Sequence, residues 1–181
     1  MMDGALAAFL RFFRILPLLM ALAGLWLVAA PARAEDLHPP TGDVVLIVSG
    51  AIGLTNVAGE AHLDRAMLEE IGLEQFATTT LWTDGPQVFE GVSLHRLMEH
   101  LRAQGHTLRV EALNDYEIEI PASEVEKGGP LLAMRVNGVS LSPRDKGPIW
   151  MVFPYDSDAR FRTDLTYARS VWQLGRIEIL P

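Results

Sequence analysis

The chain has 181 residues, of which 49% are hydrophobic and 21% charged, so it has the composition of a globular protein and not of a disordered one. Its 15 basic and 23 acidic residues give a net charge of −8, which argues against binding to nucleic acid through the phosphates. There is no cysteine, which excludes disulfides, thiol nucleophiles, Cys-ligated zinc, iron–sulfur clusters and a thiolate-bound molybdenum.

The first 34 residues have the pattern of a secretory signal peptide. Arg11 and Arg14 precede an apolar run at residues 15–30, and residues 31–34 contain an Ala-x-Ala cleavage site. We therefore expect cleavage after Ala34 and a periplasmic protein. An uncleaved N-terminal anchor is the alternative, although the run is short of the ~20 residues that a membrane span needs. The two arginines are not adjacent, so export of the unfolded chain is expected, and any ligand would be bound afterwards.

The rest of the chain is predicted to form one domain at residues 44–181, after a polar leader at residues 35–43. Val44 to Val48 is apolar and β-branched, which predicts a buried strand. Asp64 is the expected N-cap of a short helix that ends near Ile71.

The middle of the chain alternates between strand-like and helix-like patterns. The Thr-rich stretch from Phe76 to Trp82 favours a strand. Ser93 is the expected N-cap of an amphipathic helix that ends near Gly105. The least regular stretches are residues 83–91, 142–148 and 154–166. Further strands are expected at Leu108–Leu113, Tyr116–Ile120 and Ile177–Leu180, and a helical turn with capping-box spacing at Ser123–Glu126.

A hairpin and an apolar strand complete the pattern. Leu131–Val136 and Val139–Leu141 flank Asn137-Gly138, a pair that tolerates positive φ and favours a primed turn. Ile149–Phe153 is almost entirely apolar, which predicts a central strand. Many short strands with two or three short helices predict a single α+β domain that is mostly β.

Familiar catalytic motifs are missing: the sequence has no nucleophile elbow, phosphate-binding glycine loop or His-Glu-x-x-His. The candidates for a site are aromatic and polar residues in loops and at strand ends. Each one also suits a plain turn, a solvated loop or the core. Together they favour a ligand site, because loops over a β scaffold are where ligands are usually held. These residues are Trp82, Asp84, Asn114, Asp115, Tyr116, Lys146, Tyr155, Arg169 and Ser170.

The order and spacing of several short motifs resemble the molybdopterin-binding domain of the sulfite oxidase family, over roughly residues 44–180. The motifs are Phe89-Glu90-Gly91-Val92-Ser93-Leu94, Asn114-Asp115-Tyr116 with Ile120-Pro121, Leu131-Leu132-Ala133-Met134, Asn137-Gly138 and Gly147-Pro148. The resemblance implies the α+β fold of that family. In the family, a cysteine near the end of the Thr-rich strand binds molybdenum, and here Trp82 stands at or beside that position. The chain therefore lacks the family's soft protein ligand, and we expect no metal.

The chain is similar to small exported members of this fold that bind a free pterin without a metal. Those proteins act as periplasmic receptors and signal through a membrane protein that makes or degrades cyclic di-GMP. The resemblance thus implies a non-catalytic pterin-binding protein whose partner is the periplasmic domain of a membrane sensor or cyclic di-GMP enzyme. Two alternatives stay open: a molybdopterin-dependent oxidoreductase subunit with non-cysteine ligands, and a ligand-free adaptor that docks through its acidic surface.

A pterin has chemical features that match the candidate residues. It is a flat bicycle that stacks on Trp or Tyr, and its 2-amino and ring N–H groups form a donor pair that one carboxylate can accept. The expected partners are Trp82 or Tyr116 for stacking, Asp84 or Asp115 for the donor pair, Arg169 or Lys146 for the 4-oxo group, and Ser170 or Asn114 for the remaining hydrogen bonds.

Overall fold

The structure is a computed structural model and describes residues 37–181. These residues contain two β-sheets and three short α-helices. The predicted signal peptide at residues 1–34 lies outside the described residues. In chain order the strands are β1 (Val44–Gly50), β2 (Ala61–Asp64), β3 (Glu74–Thr78), β4 (Gln87–Ser93), β5 (Thr107–Ala112), β6 (Glu117–Pro121), β7 (Leu131–Val136), β8 (Val139–Ser140), β9 (Trp150–Val152) and β10 (Leu174–Leu180). The helices are α1 (Arg65–Ile71), α2 (Leu94–His100) and α3 (Asp164–Ala168). From residue 37 onward, no helix has the length and apolar composition needed to cross a membrane.

The strands form two five-stranded sheets. The first has the order β2-β1-β10-β5-β6, in which only the β1–β10 pair is parallel. The second has the order β3-β4-β7-β8, and β9 also pairs with β7. The predicted mostly β, α+β single domain is therefore confirmed for the described residues.

β7, in the middle of the second sheet, is buried on both faces, and it separates two cores. Alternate residues of β7 point to opposite faces, as the two-residue period of a strand requires. Leu132 and Met134 join the main core, which also contains the inner face of the first sheet and α2. Leu131 and Ala133 join a second core, which is rich in aromatic side chains such as Trp150. The candidate site lies at the edge of this second core.

Asp64 begins α1, as predicted. Its carboxylate accepts hydrogen bonds from the backbone N–H groups of Met67 at 2.9 Å, Gly42 at 2.8 Å and Thr41 at 2.7 Å. These hydrogen bonds lower the pKa of Asp64 from 3.8 to about 2, and the one from Met67 contributes most. Burial of the carboxylate opposes the shift. The same side chain therefore caps the helix and fixes the segment that precedes β1.

We expect protonation of Asp64 to destabilise the domain in acid. Because folding lowers its pKa, this carboxylate stabilises the folded state above pH 4, and the contribution of about 2 kcal/mol is lost as the pH falls towards 2. Urea unfolding at several pH values between about 5 and 2 measures this loss. The Asp64→Asn variant should have a flatter pH dependence in that window, and an equally steep one would contradict the assignment.

The strand predicted at Phe76–Trp82 is only partly correct, because residues 79–82 are not in a strand. β3 begins at Glu74 and ends at Thr78, because the next residues bond to side chains instead of a neighbouring strand. The Thr79 N–H donates to the Asp156 carboxylate at 2.6 Å, and the Trp82 N–H donates to the Thr80 hydroxyl at 3.0 Å. The chain then returns as β4 from Gln87, within a stretch that was expected to be irregular. β2 was not predicted at all.

The helical predictions are correct in place but not in every detail. α2 ends at His100 and not near Gly105, since Arg102 has a left-handed φ of 53°. Ser93 is its N-cap residue but makes no side-chain capping hydrogen bond. The predicted capping box at Ser123–Glu126 is a single 3₁₀ turn at Ala122–Glu124, again without a side-chain cap.

The apolar run at Ile149–Phe153 does not form a central strand. Only Trp150–Val152 is a strand, and it pairs with β7 along one edge. Its other edge is covered by the segment after α3, where the Val171 carbonyl accepts a hydrogen bond from the Met151 N–H at 2.9 Å. The run is apolar because both of its faces are buried. The strands predicted at 108–113, 116–120 and 131–136 match β5, β6 and β7 closely, and the hairpin after β7 is confirmed.

Candidate ligand-binding site

A cavity of about 220 Å³ lies at the edge of the second core. Three segments line it: the turn after β3, the turn between β5 and β6, and α3 with the residues that follow. We call it the aromatic cavity, since four of its lining side chains are aromatic. The lining residues are Trp82, Ala112, Asn114, Tyr116, Tyr167, Ala168, Ser170, Val171, Trp172 and Gln173.

Trp82 is the centre of the aromatic wall. Its ring packs edge-on against Trp172 at 5.5 Å, Trp150 at 5.9 Å and Tyr167 at 6.0 Å between ring centroids. Edge-to-face packing of this kind fixes the orientation of aromatic rings as well as burying them. Trp82 remains half-buried, so part of its ring still faces the cavity.

The turn between β5 and β6 supplies Asn114 and Tyr116. Asp115 has a left-handed φ of 65°, and its N–H donates to the Ala112 carbonyl at 3.1 Å, which closes the turn. The Asn114 side-chain oxygen accepts from the Tyr116 N–H at 3.3 Å. The Tyr116 hydroxyl donates to the Ala168 carbonyl at 2.9 Å and so ties this turn to α3.

Tyr155 does not line the cavity, but it contacts the lining residue Ser170. It is almost fully buried, and burial raises the pKa of its hydroxyl to about 12. The Ser170 hydroxyl donates to the Thr166 carbonyl at 2.8 Å, which leaves its oxygen free to accept from the Tyr155 hydroxyl. Tyr155 therefore positions Ser170 and is neutral at ordinary pH.

Lys146 lies beside the cavity wall. It has a left-handed φ of 71°, and its ammonium group lies 5.2 Å from the ring centroid of Trp172 and 5.3 Å from that of Trp150. This is within the range of cation–π attraction. Its carbonyl accepts from the Gln173 N–H at 2.9 Å. Lys146 thus holds Trp172 in place but is not itself a lining residue.

The three remaining predicted site residues lie outside the lining. Asp84 and Asp115 are exposed in turns, and Arg169 is buried in an ion pair with Glu124. The structure therefore gathers four of the nine predicted residues around the cavity: Trp82, Asn114, Tyr116 and Ser170. Across the described part of the chain, no carboxylate or guanidinium lines it, and its polar side chains are amides and hydroxyls.

Tyr167, Trp172 and Gln173 line the cavity but were not predicted. All three lie within four residues of Arg169 or Ser170, so the correct segment was identified but not the correct side chains. Tyr167 and Trp172 flank Arg169 and Ser170, which were already predicted site residues. The aromatic side chains of this segment were therefore the available signal.

The site offers little to a metal. Within residues 37–181 there is no group of three or more His, Cys, Asp or Glu side chains placed to hold an ion. Because the whole chain lacks cysteine, a thiolate-bound molybdenum does not fit. The side chains that are present suit a small, flat, polar organic molecule, which aromatic faces and neutral hydrogen-bonding groups bind well.

The fold and the site together define a mostly β, α+β domain with a small aromatic cavity. Comparison with known proteins does not assign it to a family: no family model matches the chain, and no curated protein matches it. The cavity's own geometry is therefore what indicates its function.

Proposed function

We propose that the aromatic cavity binds a pterin and that the protein is a non-catalytic periplasmic receptor. The observation that carries this proposal is the cluster of four aromatic rings around a cavity that also holds Asn114, Ser170 and Gln173. At about 220 Å³ the cavity is smaller than the ~300–1,000 Å³ of drug-sized sites, which suits a bicyclic ring. The resemblance to pterin-binding domains supports the same ligand.

The two amide side chains have the right groups free for a pterin. The Asn114 side-chain oxygen is occupied by the Tyr116 N–H, so its NH₂ group remains to donate to the 4-oxo group. The Gln173 NH₂ donates to the Pro143 carbonyl at 2.7 Å, so its oxygen remains to accept from the 2-amino edge. In this proposal Gln173 takes the role that the sequence assigned to Asp84 or Asp115, and Trp82 stacks on the ring.

The proposal extends to location and partner. The signal-peptide pattern at residues 1–34 supports export, and the resemblance supports a membrane sensor or cyclic di-GMP enzyme as the partner. Leu113, Tyr116 and Trp172 are exposed apolar side chains on or next to the cavity lining. A partner that docks on them would contact the ligand site directly, and this gives a physical route from ligand occupancy to signalling.

Titration of the mature protein with neopterin is expected to give saturable binding, which calorimetry and tryptophan fluorescence both measure. Replacing Trp82 with alanine should weaken binding roughly tenfold or more, because stacking of a heterocycle on an aromatic side chain contributes about 1–3 kcal/mol. The exposed hairpin variant Val139→Ala is the control and should bind as the unmodified protein does.

Two results would contradict the proposal. One is the absence of saturable neopterin binding in the unmodified protein. The other is stoichiometric molybdenum in protein purified from its native periplasm, which would favour the oxidoreductase alternative.

A further inference from the structure

A second cavity, of about 290 Å³, shares no lining residue with the aromatic cavity. We call it the arginine cavity, because Arg169 and Arg160 both line it. α3 contributes to both cavities: Tyr167 and Ala168 face the aromatic one, and Thr166 faces this one. The arginine cavity combines buried apolar walls with charged side chains, which is unusual for a space that only completes a core.

Arg169 is buried and incompletely paired. Only 8% of the residue is exposed, and a guanidinium keeps its charge in a protein, so its burial demands hydrogen-bond partners. One terminal nitrogen donates to the Glu124 carboxylate. The Nε atom, also buried, has no hydrogen-bond partner among residues 37–181. Arg169 is thus a fixed positive charge with unused donor capacity in the wall of a cavity.

Glu124 is the exposed member of this ion pair. Its side chain is 50% exposed and belongs to the short 3₁₀ turn after β6. Arg169 is buried and needs an anionic partner, whereas the half-exposed Glu124 carboxylate can turn into solvent when another carboxylate takes its place. The position of the Glu124 carboxylate therefore marks where an oxyanion from outside would bind Arg169.

The remaining walls of the arginine cavity determine which kind of molecule can carry the bound oxyanion. Phe153, Phe161 and Ile120 are buried apolar side chains in the lining. Arg160 lies over the Phe161 ring, 4.5 Å from its centroid, and pairs with the half-exposed Glu126. A bare inorganic ion would leave the apolar walls without a partner, whereas a hydrocarbon body would cover them.

We propose that the arginine cavity binds a small organic carboxylate. The ligand's carboxylate replaces that of Glu124 on Arg169, and its apolar body packs against Phe153 and Phe161. Bidentate pairing with a carboxylate uses two guanidinium nitrogens and so satisfies more of the donor capacity of Arg169. This site is separate from the pterin site and does not depend on it.

Calorimetric titration of the mature protein with benzoate tests the proposal, and benzamide is the matched neutral probe. Benzoate is expected to bind at least tenfold more tightly than benzamide. The Glu124→Gln variant removes the internal competitor and should bind benzoate roughly fivefold more tightly. The control is Glu119→Gln, which removes the same charge from an ion pair with Arg109 on the first sheet and should leave the affinity unchanged.

Three further measurements complete the test. Arg169→Lys should bind benzoate at least tenfold more weakly, and Trp82→Ala should bind it normally, which separates this site from the aromatic cavity. Equal binding of benzoate and benzamide, or no gain in Glu124→Gln over Glu119→Gln, would overturn the proposal even if Arg169→Lys failed to fold. Inorganic phosphate that bound as tightly as benzoate would also overturn it, since the apolar walls would then play no part.

Discussion

Replacing Trp150 with alanine is expected to lower the free energy of unfolding by about 4 kcal/mol, the cost typical of removing a large buried aromatic side chain. Only 2% of Trp150 is exposed. Its ring packs edge-on against Phe89 at 5.2 Å, Trp82 at 5.9 Å and Trp172 at 6.3 Å between centroids. Without it, Trp82 and Trp172 lose the side chain that holds them, so pterin binding should be lost as well.

Urea unfolding followed by circular dichroism measures the loss of stability, and neopterin titration measures the loss of binding. The matched control is Trp172→Ala, which removes the same side chain from a position that is 39% exposed. Since less of Trp172 is buried, this variant should lose at most about 2 kcal/mol while still losing affinity. Equal destabilisation of the two variants would show that Trp150 is not the support that we describe.

The second large effect is expected from Gly91→Ala, which should destabilise the domain by about 3 kcal/mol or more. Gly91 lies in β4 where the pairing with β7 shifts register. A Cβ atom at this position would lie 2.0 Å from the Leu132 carbonyl oxygen and 2.7 Å from its carbon. Both are backbone atoms of the neighbouring strand, so neither can rotate away, and the two strands would have to separate.

The matched control is Gly42→Ala, a second glycine-to-alanine change with a different environment. Its Cβ would lie 3.6 Å from the nearest atom, an Asp64 carboxylate oxygen, which is an ordinary contact. The Gly42 N–H that donates to Asp64 is kept. Thermal and urea unfolding should therefore place this variant within about 0.5 kcal/mol of the unmodified protein. A similar loss in both variants would exclude the close approach of β4 and β7 as the cause.

Several features of the fold that depend on neighbouring residues were predicted well, although not every expected helix cap is formed. Asp64 caps α1 through a residue three positions away, and the hairpin after β7 follows from positive φ at Asn137 and Gly138. Features that depend on distant residues were not. β3 ends early because Asp156, far along the chain, binds Thr79, and no local pattern contains that contact.

The candidate site divides in the same way. The sequence identified the segment around Arg169 and Ser170, but it could not assign the two side chains to a cavity. Arg169 and Ser170 follow directly after α3, and their side chains point in different directions: Ser170 lines the aromatic cavity and Arg169 lines the arginine cavity. The packing of α3 against the second core decides which cavity each of these two side chains reaches.

The sequence alone was enough to predict the mostly β character, to exclude a thiolate ligand and to place a tight turn at Asn137-Gly138. These follow from composition, from short-range periodicity and from turn chemistry, which act between residues close in the chain. Long-range packing is needed to bring Trp82, Asn114, Tyr116 and Ser170 around one cavity and to leave Asp84, Asp115 and Arg169 outside it. The physical reason is that a cavity wall is formed by side chains from separate turns, whose relative positions are fixed by strand pairing and by core packing.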